Sequence, residues 1–186
     1  MLILLKQVLV SVVILSGVFP MDTVKYIRHG LEAGRMMILK LIDDMQDAPL
    51  QMPTSRGGNP PLWILGHLTY AESNILEHII KGNENPLIKW KETFGAQREP
   101  SANLDDYPAW AEVRSKCDEV RVDTLAFVDS LSANDLLTAT KNSPPGREMM
   151  FGTVGACLTT MTLHTMMHYG QVADARRMAG RQRLNA

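Results

Sequence analysis

The sequence predicts an all-α protein built as a four-helix bundle, and three observations carry that reading. Four long stretches repeat apolar residues at helical spacing. Proline and glycine cluster between these stretches, and no strand reads in the gaps. Two of the connections are long, which suits a bundle whose chain crosses between helices that are not nearest neighbours.

The first helix spans residues 22–47, with Ile27, Leu31, Met37/Ile38, Leu41 and Met45 along its apolar stripe. Asp22 or Thr23 suits its N-cap, where a side-chain oxygen takes up a backbone N–H that the helix leaves free. Pro49, Pro53 and the pair Gly57-Gly58 end it. The second helix begins near Pro60-Pro61, because a first-turn residue needs no N–H to donate. It runs to Lys81, and Gly82-Asn83 forms the exit. Residues 83–105 read as a long connection held down by Trp90 and Phe94. The third helix covers 105–131, with Tyr107, Trp110, Val113, Cys117, Val120, Leu125 and Val128 as core candidates. Residues 142–152, with Pro144-Pro145-Gly146, read as a loop, and the fourth helix runs from about Thr153 to about Gly180. No internal repeat, low-complexity tract or second domain is visible in 21–186.

The first twenty residues stand apart from this body. MLILLKQVLVSVVILSGVFP holds one charge, Lys6, ahead of an apolar run from Val8 to Phe19. The run fits the apolar core of a secretory signal, but the basic start is weak and no small-residue cleavage motif precedes Asp22. Lys6 and Gln7 leave it short of the ~20 apolar residues of a spanning helix. Three readings stand: translation begins at Met21 and the protein is cytoplasmic; the segment is a signal or anchor and the protein is exported or membrane-bound through it; or it is an ordinary buried segment.

Composition narrows the function. The 186 residues carry 19 Lys+Arg against 20 Asp+Glu, a net charge of -1, without the basic surplus of a nucleic-acid binder. Two cysteines, Cys117 and Cys157, are too few for a disulfide framework or a cysteine-built zinc site. There is no G-x-G-x-x-G after a strand, no P-loop and no G-x-S-x-G elbow. The paired Glu-x-x-His motifs of di-iron bundles are also missing.

The five histidines are the main chemical signal. His164 and His168 sit four apart in LHTMMHYGQ, so they lie about 40° apart on the helix, one turn above the other. Cys157, Met161, Val172 and Ala175 share their stripe, which points the pair inward. Thr165 follows His164, so the glutamate of H-E-x-x-H is absent and a zincin is excluded. On the second helix, His67 shares a face with Trp63, Ile64, Ala71 and Asn74 and also points inward. Inward imidazoles are costly unless their nitrogens are paired. One divalent ion shared by His67, His164 and His168 would pair all three, and so would separate hydrogen bonds within the core. His78 is roughly 16 Å along the helix from His67, too far to share an ion, and His29 has no partner in sequence.

Neighbouring residues divide in the same way between packing and function. Gln171 lies about 20° off the His164 direction and is a candidate to orient a ligand, as is Asn74. Trp63 reads as core or pocket wall, and Cys157 as a small buried hydrophobe. Glu72 points away from His67, while Glu77 lies nearer the rim as a remote candidate base. Met161, Met166, Met167 and Met178 read as adaptable packing rather than copper ligands. Arg176, Arg177, Arg181 and Arg183 suit a helix C-terminus, with contact to an anionic cofactor group as the functional option.

Trp63 followed by Gly66-His67-Leu68, then LHTMMHYGQ with arginines downstream, resembles the DinB-like superfamily (DinB/YfiT) over about residues 22–182. The resemblance implies an up-down-down-up four-helix bundle, often a homodimer. It implies a three-histidine site for one divalent ion (zinc, nickel, iron or manganese) carried onto His67, His164 and His168. It also implies a small-molecule substrate and a low-molecular-weight thiol cosubstrate, since the family includes S-transferases using bacillithiol or mycothiol, a mycothiol-dependent isomerase and proteins regarded as hydrolases. Tyr169 departs from the pattern, standing where a basic residue often precedes the Gly-Gln. The expectation is a metal-dependent thiol S-transferase or hydrolase without a nucleic-acid partner. The alternatives are a non-catalytic metal- or ligand-binding bundle and a structural or oligomerising one.

Overall fold

The computed structural model of the protein describes residues 22–182 and 184, and the regular elements among them are helical apart from one isolated bridge between Ala139 and Thr153. The apolar leader and Arg183 lie outside the described residues. Among the described residues, no helix is long and apolar enough to cross a membrane.

Helix α1 spans Thr23–Asp43, and the Asp22 carboxylate caps it by accepting the Lys25 N–H at 2.9 Å. Leu31, Ile38, Leu41 and Ile42 face inward and Met37 outward, so Ile38 takes the core position at the ambiguous pair. Helix α2, Pro61–Ser73, starts on the expected proline. It does not continue as an α-helix: from Asn74 to Lys81 the backbone winds as a π-helix, ending on Gly82 in the left-handed region at φ 81°. The long connection contains a short helix, α3, at Lys91–Phe94. Helix α4, Trp110–Asp129, begins later than the sequence pattern suggests, and Tyr107 packs from the preceding turn. The Pro-Pro-Gly segment is not all loop, because α5 forms at Glu148–Phe151. Thr153 then caps α6, Val154–Met178, by accepting the Ala156 N–H.

Paired contacts give the helix directions. Arg28 meets Asp129 at 2.7 Å and Arg114 meets Asp43 at 3.0 Å, so α1 and α4 run antiparallel. Gly30 lies beside Thr162 and Asp44 meets Arg176 at 2.7 Å, so α1 and α6 run parallel. The apolar core divides in two. One cluster gathers around Leu62, Trp63, Phe94, Val113 and Val172. The other gathers around Leu76, Ile79, Val128, Val154 and Leu158.

Between the clusters lies a polar layer. Here the Glu72 carboxylate meets the Arg121 guanidinium at 2.7 Å, both side chains nearly buried, and Arg121 also donates to the Leu31 carbonyl at 2.9 Å. The three inward histidines lie beside this layer: His67 falls between Leu65 and Tyr70 of the first cluster, and His164 and His168 fall between Met161 of the second and Val172 of the first.

Candidate metal centre

His67 is placed by the connection that follows its helix. Its neighbour Gly66 has no Cβ, and a methyl there would overlap the ring of Phe94, which is fully buried. The close approach brings the Phe94 carbonyl to His67 Nδ1 at 2.7 Å, while the adjacent Thr93 carbonyl accepts from Trp63 Nε1 at 3.0 Å. Trp63 in turn stacks on the His67 ring, with centroids 4.6 Å apart and an interplanar angle of 11°. Two carbonyls at the end of α3 thus fix both rings.

His164 and His168 project from successive turns of α6. His168 Nδ1 donates to Gln171 Oε1 at 2.9 Å. Its Nε2 lies 3.2 Å from His164 Nε2, and His67 Nε2 lies 3.1 Å from the same atom. The three ligand nitrogens all fall within 4.8 Å of one another, an arrangement that could hold a metal ion.

Proton accounting shows what this cluster lacks. A neutral imidazole has one N–H and one lone pair. The N–H of His67 goes to Phe94 and that of His168 to Gln171, so each presents a bare lone pair at Nε2. Both lone pairs face His164 Nε2, which carries at most one hydrogen. Extra protons are disfavoured: burial lowers the His67 pKa, and burial with the neighbouring histidines brings His164 down to about 3. Burial and His67 bring His168 down to about 4. At neutral pH the cluster therefore concentrates lone pairs without a positive charge to receive them.

A cavity of about 520 Å³ opens beside His67 and His164. Ile75, Ile79, Phe151 and Leu163 give it apolar walls, and Asn74 and Arg147 are among its polar residues. Asn74 sits where α2 becomes the π-helix and accepts from Asn85 Nδ2 at 3.5 Å. A π-helix places successive side chains differently from an α-helix, and such segments frequently border functional sites.

The remaining candidates fall outside the cluster. His29 and His78 are exposed. Glu72 is taken up by Arg121, and Glu77 binds Lys81 and Asn83. Cys157 is fully buried and burial pushes its thiol up to about 12, so it packs as a hydrophobe. Arg176, Arg177 and Arg181 pair with Asp44, Asp174 and Asp47. These ion pairs supply the partners for which a cofactor anion was the functional option. The cation that does line the cavity, Arg147, comes from the loop, where helical periodicity offers no signal. Phe94 was legible only as an anchor for the connection; its contact with Gly66 depends on the tertiary fold.

Fold and site together describe an α-helical bundle with a largely buried histidine triad between facing helices, a common place for bundle metal sites. The sequence profile of the DinB superfamily matches residues 30–172, and the chain belongs to that superfamily. No curated protein matches it.

Proposed function

We propose that His67, His164 and His168 bind one divalent metal ion, and that the protein uses it as a metal-dependent thiol S-transferase or hydrolase acting on a small molecule. The observation that carries the reading is the convergence of three Nε2 atoms, two of them stripped of hydrogen by Phe94 and Gln171. Ligand nitrogens ~2.0–2.1 Å from a tetrahedral ion stand about 3.3 Å apart, close to the observed 3.1 and 3.2 Å. Nitrogen donors suit zinc, nickel or iron better than magnesium or calcium.

The ion would supply Lewis acidity, holding positive charge against an oxygen or sulfur and easing loss of its proton. The chain's own residues do the rest. Phe94 and Gln171 hold the tautomers of His67 and His168. The neutral imidazoles leave the full charge of the ion in place. The apolar walls of the cavity limit water and strengthen every electrostatic contact inside. No carboxylate stands among the lining residues of this cavity, which favours activation of a thiol by charge over carboxylate-assisted attack of water.

Metal analysis of the purified protein is the direct test. The expected result is close to one divalent ion per chain in the native protein and none in His168→Ala. An ion that survives that substitution, or a native protein that takes up no divalent metal, refutes the site. Turnover of an electrophile with a low-molecular-weight thiol, lost on chelation and restored by metal, is the expected activity. Metal binding without any such turnover reduces the reading to a binding protein.

A further inference from the structure

We infer that the cavity beside the histidines takes a small organic carboxylate with an apolar body, and that Arg147 binds the carboxylate head. The inference takes this cavity as the substrate chamber of the proposed metal centre and rests on that reading for its place in a reaction, though not for the binding itself.

The walls are suited to an apolar body. Ile75, Ile79 and Phe151 are buried, while Leu163 and Met150 line the same space yet remain 65% and 41% exposed. That exposed apolar surface favours an occupant that removes it from water. A volume of about 520 Å³ lies within the range of small-molecule sites.

Charge selects the head group. Eight of the described arginines form ion pairs with carboxylates. Arg147 does not: among the described residues its guanidinium has neither a hydrogen-bond nor an ion-pair partner. The nearest acid in sequence, Glu148, is occupied otherwise, its carboxylate accepting the Gly146 N–H at 2.9 Å. The backbone around Arg147 is fixed. Its N–H donates to the Pro144 carbonyl at 3.1 Å, and its own carbonyl accepts from Met150 and Phe151 at 3.0 Å each. Thr160, also a lining residue, donates its hydroxyl to the Met150 carbonyl at 3.0 Å and ties α5 to α6. A cation on a pinned turn, at an apolar cavity without an acidic lining residue, is unneutralised by the protein and placed to form the paired hydrogen bonds that guanidinium makes to carboxylate.

The test compares 4-phenylbutanoate with its neutral isostere 4-phenylbutanamide and with 4-phenylbutylamine, by titration calorimetry on the full chain, both zinc-loaded and stripped with chelator. The native protein is expected to bind the carboxylate roughly 10–100-fold more tightly than the amide, the value of a charge-assisted pair. The preference should persist without metal. Arg147→Gln should reduce it to near unity, and Arg147→Glu should turn it towards the amine; the side chain is exposed, so both variants are expected to fold. Equal affinities in the native protein, no binding of any probe, or a preference unchanged by Arg147→Gln overturns the inference. A preference that vanishes with the metal while Arg147 is intact assigns the carboxylate to the ion, overturning the inference while supporting the metal site. A preference that follows Arg147 in a protein that takes up no zinc supports the inference and refutes the metal site.

Discussion

Two largely buried polar groups lie inside this bundle, and they are built on opposite principles. Glu72 and Arg121 are complementary: a negative and a positive side chain meet at 2.7 Å, and Arg121 spends another donor on the Leu31 carbonyl. The histidine triad is not complementary. The outward nitrogens of His67 and His168 are bonded to Phe94 and Gln171, and the inward nitrogens of the triad face one another. The first arrangement is closed in charge within the protein, although Glu72 Oε1 and Arg121 Nε are buried without a hydrogen-bond partner among the described residues. The second leaves lone pairs that a cation could take up, and it is the one that borders a cavity. The lesson is that burial of polar side chains does not by itself mark function; the sign left over after internal pairing does.

The largest effect should come from breaking the closed pair. Arg121→Ala leaves Glu72 charged and buried, and removing one partner of a buried ion pair costs about 3–5 kcal/mol. Denaturant unfolding should show that loss, while the metal content per folded chain stays unchanged. Replacing both residues with apolar ones of similar volume, Glu72→Met with Arg121→Leu, should recover most of the stability. If Arg121→Ala abolishes metal binding in protein that is still folded, the two groups form one unit and the comparison fails.

This division was only half legible in the sequence. The histidines were readable because spacing by four on a helix fixes two side chains on one face, and because apolar neighbours show which face is inward. Arg121 falls on the apolar stripe of the third predicted helix between Val113, Val120 and Val128, yet nothing local shows that Glu72, 49 residues earlier, will meet it. Contacts between distant segments are the general blind spot. Gly66 and Phe94 lie on separate elements, and only their packing delivers a carbonyl to His67. The change to a π-helix at Asn74 has no signal in residue propensity, and its residues Ile75, Leu76, Ile79 and Ile80 belong to the second apolar cluster. The short helix carrying Phe151 was hidden by Pro144-Pro145-Gly146, which reads as loop although the chain closes a helical turn directly after it.

The open group should announce itself in the pH dependence of the metal-free protein. Folding lowers His164 and His168 from 6.5 to about 3 and about 4, so as pH falls the unfolded chain takes up these protons first. Stability is therefore full above about pH 7 and declines as pH falls through the ordinary histidine range. The two groups together should cost roughly 1.5 kcal/mol between pH 7.5 and pH 6. Chemical denaturation of chelator-treated protein measures this slope. The double variant His164→Gln, His168→Gln should reduce it to the smaller share that buried His67 contributes, and the Glu72→Met, Arg121→Leu protein should keep it. A slope unchanged by loss of both histidines would place its origin elsewhere.

The smallest effect on stability distinguishes orientation from packing within the open group. Gln171 is tied to the triad by the 2.9 Å bond from His168 Nδ1, and it is half-buried. Gln171→Ala removes the acceptor that keeps the hydrogen on Nδ1 and the lone pair on Nε2. His168 can then present either tautomer, and water can take the vacated place at the ring. Loss of such a partner typically costs 10–100-fold in metal affinity, while the metal-free protein should lose only about 0.5–1.5 kcal/mol, the worth of one hydrogen bond. Gln171→Glu keeps an acceptor at the same reach and should restore most of the affinity. Competition with a zinc-binding dye, set beside unfolding of the stripped protein, separates the two quantities. An affinity loss no larger than the stability loss would make Gln171 a packing residue, and the tautomer of His168 would then owe nothing to it.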